Sequence, residues 1–301
     1  LVGFSLYVWN ERISLEIVRR LKKQWPEKLV ICGGPQVPDN AEDFLRNNPN
    51  VDIAVHGEGE ITFLKILEAY PYNDWSEIPG VSWIDASGKL ITHPKSDRIH
   101  DLSILPSPYL EGVFDPLLSL DSNAEWLALW ETNRGCPFQC TFCDWGSAIA
   151  DKVFRFDMDR IDQEMNWFSQ KKIEFIFTCD ANFGILPRDL DIAQHAADNK
   201  ERYGYPKALS VQNTKNATER AYQTQKILSD SGLNKGVTLS MQTVSQQTLE
   251  DIKRQNISLG TYEELQRRFT RDEVITYSDL ILGLPGETYE SFAAGVSSLI
   301  T

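Results

Sequence analysis

Three cysteines of the chain lie close enough in sequence to bind one metal group together. Cys136, Cys140 and Cys143 form a Cys-x3-Cys-x2-Cys array. The array follows residues 126–130, an apolar run that predicts a buried strand, so it falls in the loop after that strand. In β/α barrels and open α/β sheets, ligand sites are built from the loops at this end of the strands.

Thiolates bind both iron–sulfur clusters and structural zinc, and both groups usually take four protein ligands. Cys32 and Cys179 stand apart from the array without a cysteine partner nearby, and no Cys or His follows Cys143 at the spacing of a zinc finger. We interpret Cys179 as a core residue. The simplest interpretation of the array is a 4Fe–4S cluster with three irons held by the protein and one open to a small molecule. A zinc knuckle and three ordinary thiols are the alternatives.

The spacing of the array, with the aromatic Phe142 before its last cysteine, resembles the signature of the radical S-adenosylmethionine (SAM) enzymes. The resemblance implies that the open iron binds the amino and carboxylate groups of SAM. It also implies that one electron from the cluster cleaves SAM to a 5′-deoxyadenosyl radical.

Length, composition and charge narrow the class of protein. A chain of 301 residues favours two domains, and the composition of 42% hydrophobic and 24% charged residues is ordinary for a globular protein. No apolar run reaches the length of a membrane span and no secretory signal opens the chain. Five cysteines with three clustered suit a reducing compartment, so a cytoplasmic location is expected. The net charge of −13 argues against nucleic acid as a partner.

The first third of the chain alternates short apolar runs with helical patterns. This alternation predicts a doubly wound, Rossmann-like α/β domain over residues 1–105, extended by a β-hairpin. The linker around residues 105–116 is rich in proline and glycine. The predicted strands are residues 1–6, 29–32 and 52–55, the predicted helices residues 15–25, 41–47 and 61–69, and the hairpin strands residues 81–84 and 90–92.

The loops after these three strands resemble the cobalamin-binding domain found in many radical SAM enzymes. Without the resemblance they would be interpreted as ordinary tight turns between strand and helix. The family's Asp-x-His-x-x-Gly motif, which supplies the cobalt ligand, does not occur in the chain, and His56 does not match it. The resemblance implies cobalamin contacts at Ser5, Leu6, Tyr7, Gly33, Gly34, Gly57, Glu58 and Gly59.

The rest of the chain predicts a run of β/α units, and the resemblance implies that these form a partial (β/α)6, TIM-like radical SAM barrel over residues 106–301. Five strands are expected where the family barrel has six, so we interpret the chain as a fragment that lacks both termini and stops before the last strand. The predicted strands are residues 126–130, 174–179, 208–211, 236–241 and 275–282.

Polar or glycine-rich residues follow each of these strands, and the resemblance assigns several of them to SAM. The second strand ends in Asp180-Ala181-Asn182, where the family usually has Gly-Gly-Glu. A cation such as Lys215 could pair with the SAM carboxylate. The SAM contacts that the resemblance implies are Phe142, Asp180, Asn182, Gln212, Lys215, Gln242 and Gly283.

The favoured interpretation is a cobalamin-dependent radical SAM enzyme that methylates an unactivated carbon of a small-molecule or peptide natural product. A flavodoxin or ferredoxin is the electron donor that the resemblance implies. One alternative is a rearrangement or cyclisation enzyme of the same build that transfers no methyl group. Another is a non-catalytic iron–sulfur or zinc-binding module. RNA methylthiolation is disfavoured by the acidic balance and by the lack of cysteines for a second cluster.

Overall fold

A computed structural model describes residues 1–120, 124–143, 152–214, 216 and 219–300. The chain divides into two compact units, Leu1–His100 and Asp101–Thr301. Within the described residues, no helix combines the length and the apolar character needed to cross a bilayer.

The first unit is built on a five-stranded sheet with the strand order β1-β2-β3-β4-β5. β1, β2 and β3 are parallel, and Ser5 at the end of β1 pairs with Gly33 at the end of β2. The carboxyl ends of these strands therefore meet at one edge of the sheet. The strands are β1 Val2–Ser5, β2 Val30–Gly33, β3 Ile53–Val55, β4 Val81–Ile84 and β5 Leu90–Thr92.

Helices cover both faces of this sheet, as the alternation of apolar runs predicts. The helices are α1 Glu11–Gln24, α2 Glu42–Asn47 and α3 Gly59–Ala69. Val30 and Cys32 of β2 pack in a cluster with residues of α1 and α2, whereas Ile31 packs in a second cluster with Ile66 of α3. Because successive side chains of a strand point to opposite faces, α3 lies opposite α1 and α2.

The hairpin extends the same sheet rather than standing apart from it. β4 pairs antiparallel with β3, and β5 pairs antiparallel with β4. Its strands have the predicted bounds because the turn between them is closed locally. The carboxylate of Asp85 accepts hydrogen bonds from the backbone N–H groups of Ser87 and Lys89 at 2.8 and 2.9 Å.

The second unit alternates strands with longer helices after a short helical start. A 3-10 helix spans Leu102–Ile104, just before the stretch expected to be a linker, and α4 spans Asp115–Leu118, at the end of that stretch. The later helices are α5 Met158–Gln170, α6 Asp189–Tyr203, α7 Glu219–Asp230, α8 Gln246–Asp251, α9 Leu259–Arg271 and α10 Tyr289–Ile300. The strands are β6 Leu127–Trp130, β7 Asn133–Arg134, β8 Phe154–Arg155, β9 Phe175–Thr178, β10 Ala208–Ser210, β11 Val237–Thr238 and β12 Thr276–Tyr277.

All five predicted barrel strands have a counterpart, but their ladders are shorter than predicted. β10, β9 and β6 form one parallel sheet, and β11 and β12 form a separate parallel pair. A side-chain hydrogen bond connects the segment after β10 to β11: the Asn213 amide donates to the Thr238 carbonyl oxygen at 3.3 Å. A further pair, β7 and β8, is antiparallel and was not predicted.

A buried polar contact fixes α5 against the sheet of β6. Trp130, which is 1% exposed, donates its indole N–H to the Glu164 carboxylate at 2.7 Å. Arg160 donates to the other oxygen of Glu164 at 2.9 Å, so the buried carboxylate is paired on both sides. The strand that leads into the cysteine array is thereby held against α5 by a charge-assisted hydrogen bond as well as by apolar packing.

Candidate functional site

The cysteine array lies in a loop that backbone contacts attach to neighbouring segments near both of its ends. At its start, β7 pairs with β8, and Gly135 has a φ of 124° beside the backbone of Lys152. Near its end, the backbone N–H of Thr141 donates to the carbonyl oxygen of Ile252 at 3.0 Å. The loop is therefore attached both to the β7–β8 pair and to the end of α8.

Two of the three thiols are enclosed by the protein. Cys136 and Cys140 are 3% and 4% exposed, and Cys143 is half-buried. All five cysteines belong to the described residues, and none of them forms a disulfide. Burial raises the pKa of Cys179 and raises that of Cys32 to about 12, which leaves both as neutral thiols at neutral pH.

The start of the loop is held by a buried carboxylate at the end of β9. Asp180 is fully buried, and one of its oxygens accepts hydrogen bonds from the backbone N–H groups of Thr132 and Asn133 at 2.8 and 3.1 Å. Its other oxygen accepts from the hydroxyl of Thr132. Arg188 donates to the carbonyl oxygen of Thr132, so the same peptide is held from both sides.

Burial dominates the protonation of this carboxylate. It raises the pKa of Asp180 from 3.8 to about 7, the three hydrogen bonds oppose the rise, and the nearby Asp189 adds to it. Burial also raises the pKa of Asp189 and lowers that of Arg188. Desolvation disfavours the charged form of all three side chains. It therefore raises the pKa values of the two acids and lowers that of the arginine.

Asn182 connects the end of β9 to the cysteine array. Its side-chain N–H donates to the sulfur of Cys136 at 3.3 Å. Its carbonyl oxygen is buried and has no hydrogen-bond partner among the described residues. A buried amide oxygen without a donor is costly, so this atom is suited to accept a hydrogen bond from a ligand beside Cys136.

Arg254 follows the end of α8 and lines a cavity together with Cys140. It is 4% exposed, its Nε donates to the side-chain oxygen of Asn256 at 2.7 Å, and one terminal nitrogen donates to the carbonyl oxygen of Ser240. Burial lowers its pKa, and the sulfurs of Cys140 and Cys143 partly offset this effect. The other terminal nitrogen, Nη1, is buried without a hydrogen-bond partner among the described residues.

A cavity of about 470 Å³ opens beside the array. Its lining includes Phe138 and Cys140 from the loop and Leu249, Lys253 and Arg254 from α8 and the segment that follows it. A cysteine, a cation and apolar side chains thus share one concave surface, which is the usual character of a small-molecule site.

The arrangement of these groups fits an iron–sulfur cluster. Three thiols lie on one loop, and two of them are buried beside a polar atom that lacks a partner, Asn182 Oδ1 near Cys136 and Arg254 Nη1 near Cys140. Among the described residues, no three His, Cys, Asp or Glu side chains surround a single ion position. In a 4Fe–4S cluster, by contrast, each cysteine binds a different iron.

The other residues assigned to SAM lie on the loops of the same unit. Phe142 packs against an apolar cluster that contains Ile252, Leu284 and Ile281. Gln242 has a φ of 64°, and its backbone pairs with the segment after β12, including a bond from the N–H of Ile281 at 2.8 Å.

The last residues assigned to SAM, Gln212, Lys215 and Gly283, follow two further strands. The carbonyl oxygen of Gln212 accepts a hydrogen bond from the N–H of Phe183 at 2.7 Å, which joins the segments after β9 and β10. Gly283 is exposed with a φ of 85°. Lys215, which was also assigned to SAM, lies outside the described residues.

The loops assigned to cobalamin are closely packed against each other at the sheet edge of the first unit. Leu6 is fully buried, and its N–H donates to the carbonyl oxygen of Gly33 at 2.7 Å. Gly34 has a φ of 100°, and a Cβ at this position would lie 2.6 Å from the oxygen of Leu6. Only glycine fits here, because both the backbone conformation and the close approach exclude a side chain.

A half-buried and an exposed aromatic side chain follow β1. Tyr7 stacks on Trp9 with ring centroids 4.6 Å apart, and Trp9 is 76% exposed. Asn10 fixes this turn, since its side chain accepts from the N–H of Tyr7 at 2.7 Å and donates to the carbonyl oxygen of Ser5 at 3.0 Å. The turn presents a flat aromatic surface at the end of β1 where a planar ligand could stack.

The remaining residues assigned to cobalamin follow β3. Gly57 has a φ of 77°, Gly59 begins α3, and the Glu58 carboxylate accepts from the N–H of Ile99 at 2.7 Å. His56 is buried and bonded to the Ser82 hydroxyl at 2.9 Å, and burial lowers its pKa. His56 is a packed residue at the end of β3.

Sequence reasoning missed several residues of this site, chiefly Arg254, Arg188 and Thr132. Arg254 stands in a polar segment after a short helix, where an arginine would normally be solvated. Its side chain donates hydrogen bonds to Asn256, two residues later, and to the carbonyl oxygen of Ser240 in another segment. The only indication in the sequence is that an arginine side chain can pair with thiolates. This property does not distinguish Arg254 from the other arginines of the chain.

Comparison with known proteins identifies two domains. Residues 130–296 match the family model of the radical SAM superfamily, and residues 1–67 match that of the B12 binding domain. The chain is 41% identical over 303 aligned residues to the cobalamin-dependent radical SAM methyltransferase TokK of Streptomyces tokunonensis. It is 42% identical to the 2-(S-pantetheinyl)-carbapenam-3-carboxylate methyltransferase of Streptantibioticus cattleyicolor.

Both alignments cover 99% of this chain but only 44% of each relative, so the chain spans less than half the length of these relatives. Two solved structures share the fold. The cobalamin-dependent SAM radical enzyme OxsB gives a TM-score of 0.72 at 14% identity and covers 99% of this chain and 43% of its own. The methyltransferase TsrM of Kitasatospora setae gives 0.71 at 16%, with coverages of 95% and 56%.

Proposed function

We propose, from the premise that this chain belongs to the radical SAM superfamily and carries a B12 binding domain, that it is the cofactor-binding part of a cobalamin-dependent methyltransferase. The observation that carries the proposal is the presence of both domains on one chain, aligned over almost its whole length with two methyltransferases at 41% and 42% identity. The activity is methylation of an unactivated carbon.

The two domains determine the cofactors. A radical SAM domain binds a 4Fe–4S cluster and SAM, and a B12 binding domain binds cobalamin. When bound, these groups supply the radical that removes a substrate hydrogen and the methyl group that replaces it. The protein supplies binding, orientation and a site from which water is excluded.

We assign the three cysteines of the array, Cys136, Cys140 and Cys143, as the cluster ligands. The burial of Cys136 and Cys140 keeps their sulfurs from solvent. The half-buried Cys143 directly follows Phe142, which packs against the apolar cluster of Leu249, Ile252 and Leu284. Asn182 offers an amide N–H to Cys136 and keeps a free carbonyl oxygen for a donor on SAM. These residues hold the cluster and orient the ligand beside it.

Asp180 has a different role in this proposal. Both of its oxygens accept hydrogen bonds from Thr132 and Asn133, at the beginning of the cysteine loop. The carboxylate is therefore a positioning group for the loop, and the SAM contact near this strand end falls to Asn182. The other proposed SAM contacts are Phe142, Gln212, Lys215, Gln242 and Gly283.

In the first unit, the loops after β1, β2 and β3 are the proposed cobalamin site. Gly34 lets the second loop pass within contact of the first, and the stacked Tyr7 and Trp9 offer an aromatic surface. The proposed contacts are Ser5, Leu6, Tyr7, Gly33, Gly34, Gly57, Glu58 and Gly59. Residues 1–105 and 106–301 are the proposed extents of the cobalamin and radical SAM domains.

The name of one relative supports the proposed substrate class. We propose a small-molecule natural product, and a carbapenam with a pantetheine-type thioether is the first compound to test, because one relative is named for it. A flavodoxin or ferredoxin is the proposed electron donor. The proposed location is the cytoplasm, where thiols remain reduced.

The test uses the full-length protein, purified without oxygen, reconstituted with iron and sulfide and loaded with hydroxocobalamin. After addition of SAM, a strong reductant and the carbapenam thioether, we expect 5′-deoxyadenosine, S-adenosylhomocysteine and a product heavier by one methyl group. Deoxyadenosine with an isomerised or cyclised product of unchanged methyl content would refute methyl transfer and favour a rearrangement enzyme.

Matched cysteine variants locate the cluster. Cys136→Ala, Cys140→Ala and Cys143→Ala should each lose most of the bound iron and all deoxyadenosine formation. Cys32→Ala and Cys179→Ala remove buried thiols outside the array and should keep both. Iron retained in the first group, or lost equally in the second, would contradict the ligand assignment.

A further inference from the structure

Arg254 is a buried cation whose charge is not balanced by any described carboxylate. It follows α8, and its backbone is held by a bond from its N–H to the carbonyl oxygen of Leu249 at 2.9 Å. The acceptors of its guanidinium are neutral oxygens of Asn256 and Ser240. Among the described residues it takes part in no ion pair with Asp or Glu, although it is 4% exposed.

A buried guanidinium without a counter-charge is unfavourable, because neutral oxygens replace only part of its hydration. An arginine stays protonated in proteins, so the site cannot relieve this cost by losing the proton. Arg254 and Cys140 line the same cavity. Burial lowers the pKa of Arg254, and the sulfurs of Cys140 and Cys143 oppose that shift. Neutral thiols compensate a cation weakly, whereas thiolates bound to an iron–sulfur cluster carry negative charge.

We propose that Arg254 is a positioning residue for the cluster: Nη1 donates a hydrogen bond to the sulfur of Cys140, and the guanidinium charge favours the reduced cluster. The inference rests on the proposed function, since it requires a cluster on the array. Hydrogen bonds to the sulfurs and the local net charge are the means by which proteins set cluster potentials.

The electron balance gives the direction of the effect. Reduction adds one electron to the cluster from a flavodoxin- or ferredoxin-type donor, or from dithionite in the test, and no bond to protein is made or broken. The reduced cluster carries one more negative charge than the oxidised cluster. A fixed positive charge beside Cys140 therefore stabilises the reduced form more than the oxidised form and raises the midpoint potential.

The neighbouring Lys253 provides a matched control. It lines the same cavity and carries the same charge, but it is exposed to solvent. Solvent and salt screen an exposed charge far more than a buried one. Removal of the Lys253 charge should therefore leave the potential nearly unchanged, whereas removal of the Arg254 charge should not.

The experiment compares full-length, anaerobically reconstituted wild type, Arg254→Gln, Arg254→Lys and Lys253→Gln without SAM. Iron and sulfide content are measured first, and the midpoint potential is then obtained from a dithionite titration followed by electron paramagnetic resonance. We expect Arg254→Gln to lower the equilibrium constant for reduction at least about tenfold, which is about 59 mV for a one-electron couple. Arg254→Lys should change the equilibrium constant for reduction less than Arg254→Gln does. Lys253→Gln should change it by less than about twofold.

Several outcomes decide the matter. A wild-type midpoint in Arg254→Gln with full iron content would overturn the proposal, as would an equal shift in Lys253→Gln. An unchanged midpoint, together with weaker SAM binding in a separate titration of the cluster-loaded variant, would also overturn it and would assign the guanidinium to the SAM carboxylate. If Arg254→Gln folds but loads no cluster while Arg254→Lys loads one, the requirement for the charge is supported. Failure of the wild type to load a cluster would instead refute the proposed function.

Discussion

Replacement of Asp180 by asparagine tests whether burial or hydrogen bonding controls the carboxylate that holds the cysteine loop. The two effects oppose each other. Three hydrogen bonds from Thr132 and Asn133 favour the ionised form, whereas complete burial favours the neutral form. Burial prevails and raises the pKa from 3.8 to about 7, with Asp189 adding to the rise.

The direction of the stability change follows from proton linkage. Because the folded state binds this proton more tightly than the unfolded state, the stabilisation by the neutral carboxyl group is complete below a pH of about 4. It is lost as the pH rises through about 7. The difference between 3.8 and about 7 corresponds to about 4 kcal/mol at 1.36 kcal/mol per unit.

Asp180→Asn keeps the shape and the neutral state of the side chain but cannot ionise. The free energy of unfolding of the variant, relative to wild type, should therefore rise by about 4 kcal/mol between a pH of about 4 and a pH of about 8. The assay is urea denaturation of the cluster-free protein, followed by tryptophan fluorescence at several pH values. Asp189 and Arg188 are present in both proteins, so their own titration largely cancels.

The matched control is Asp85→Asn in the hairpin of the first unit. Hydrogen bonds from Ser87 and Lys89 lower the pKa of Asp85. Its stabilisation is present above the unfolded pKa and is lost as the pH falls, so the control should show a change of opposite sign at low pH. A difference between Asp180→Asn and wild type that does not vary with pH, or that falls as the pH rises, would show that Asp180 is ionised in the folded protein and would refute the reasoning.

Three further substitutions, one of them with a matched control, probe the packing in the two units. Gly34→Ala should lower the free energy of unfolding, measured by urea denaturation, by at least about 2 kcal/mol, because its φ of 100° and an oxygen 2.6 Å from the new Cβ both oppose a side chain. The control Gly88→Ala, with a φ of 81° but open space around the new Cβ, should lower it by about 1 kcal/mol. Gly135→Ala should lower the bound iron after reconstitution, since its Cβ would collide with a neighbouring backbone carbonyl and displace the cysteine loop. Trp130→Phe should lower the free energy of unfolding by about 1–3 kcal/mol, because it removes the indole N–H that donates to the buried Glu164 carboxylate. Equal stability of the variant and the wild type would contradict this prediction.

The sequence predicted best those features that local chemistry determines. The hairpin strands Val81–Ile84 and Leu90–Thr92 have the predicted bounds, because the turn beginning at Asp85 closes with its own hydrogen bonds. Helix α1 is less accurate: it begins at Glu11, four residues before the predicted start at Leu15. The turn held by Asn10 starts the helix within a segment that lacks the apolar periodicity on which the prediction relied.

Strand length in the second unit depended on partners that are distant in sequence. Residues 236–241 were predicted as one strand, but β11 covers only Val237–Thr238. An apolar run indicates where a strand can form, whereas the length of its ladder depends on the register of the neighbouring chain. Here the neighbour is β12, Thr276–Tyr277, which pairs over the same short length.

The polar network of the site was the least predictable part. The cysteine array is a local motif and needs no structure to be noticed. The bond from Thr132 to Asp180 spans 48 positions, and that from Arg188 to Thr132 spans 56. No pattern in a single sequence connects such residues, because the pairing arises only when β6 and β9 lie side by side. Arg254 is hidden for the same reason, since its burial follows from the packing of other segments around it.

Both candidate sites place a glycine where two backbone segments nearly touch, and this has a consequence for how each site can vary. At Gly34 the neighbour is the backbone of Leu6, and at Gly135 it is the backbone of Lys152. A backbone atom cannot change rotamer to make room, so neither position can accept a side chain without a shift of the whole loop. The side chains around these contacts can be exchanged for others of similar size, whereas the path of the two loops cannot. The loop geometry should therefore persist in relatives that act on different substrates, and specificity should vary in the side chains that line the cavity beside Cys140 and in parts of the protein beyond these loops.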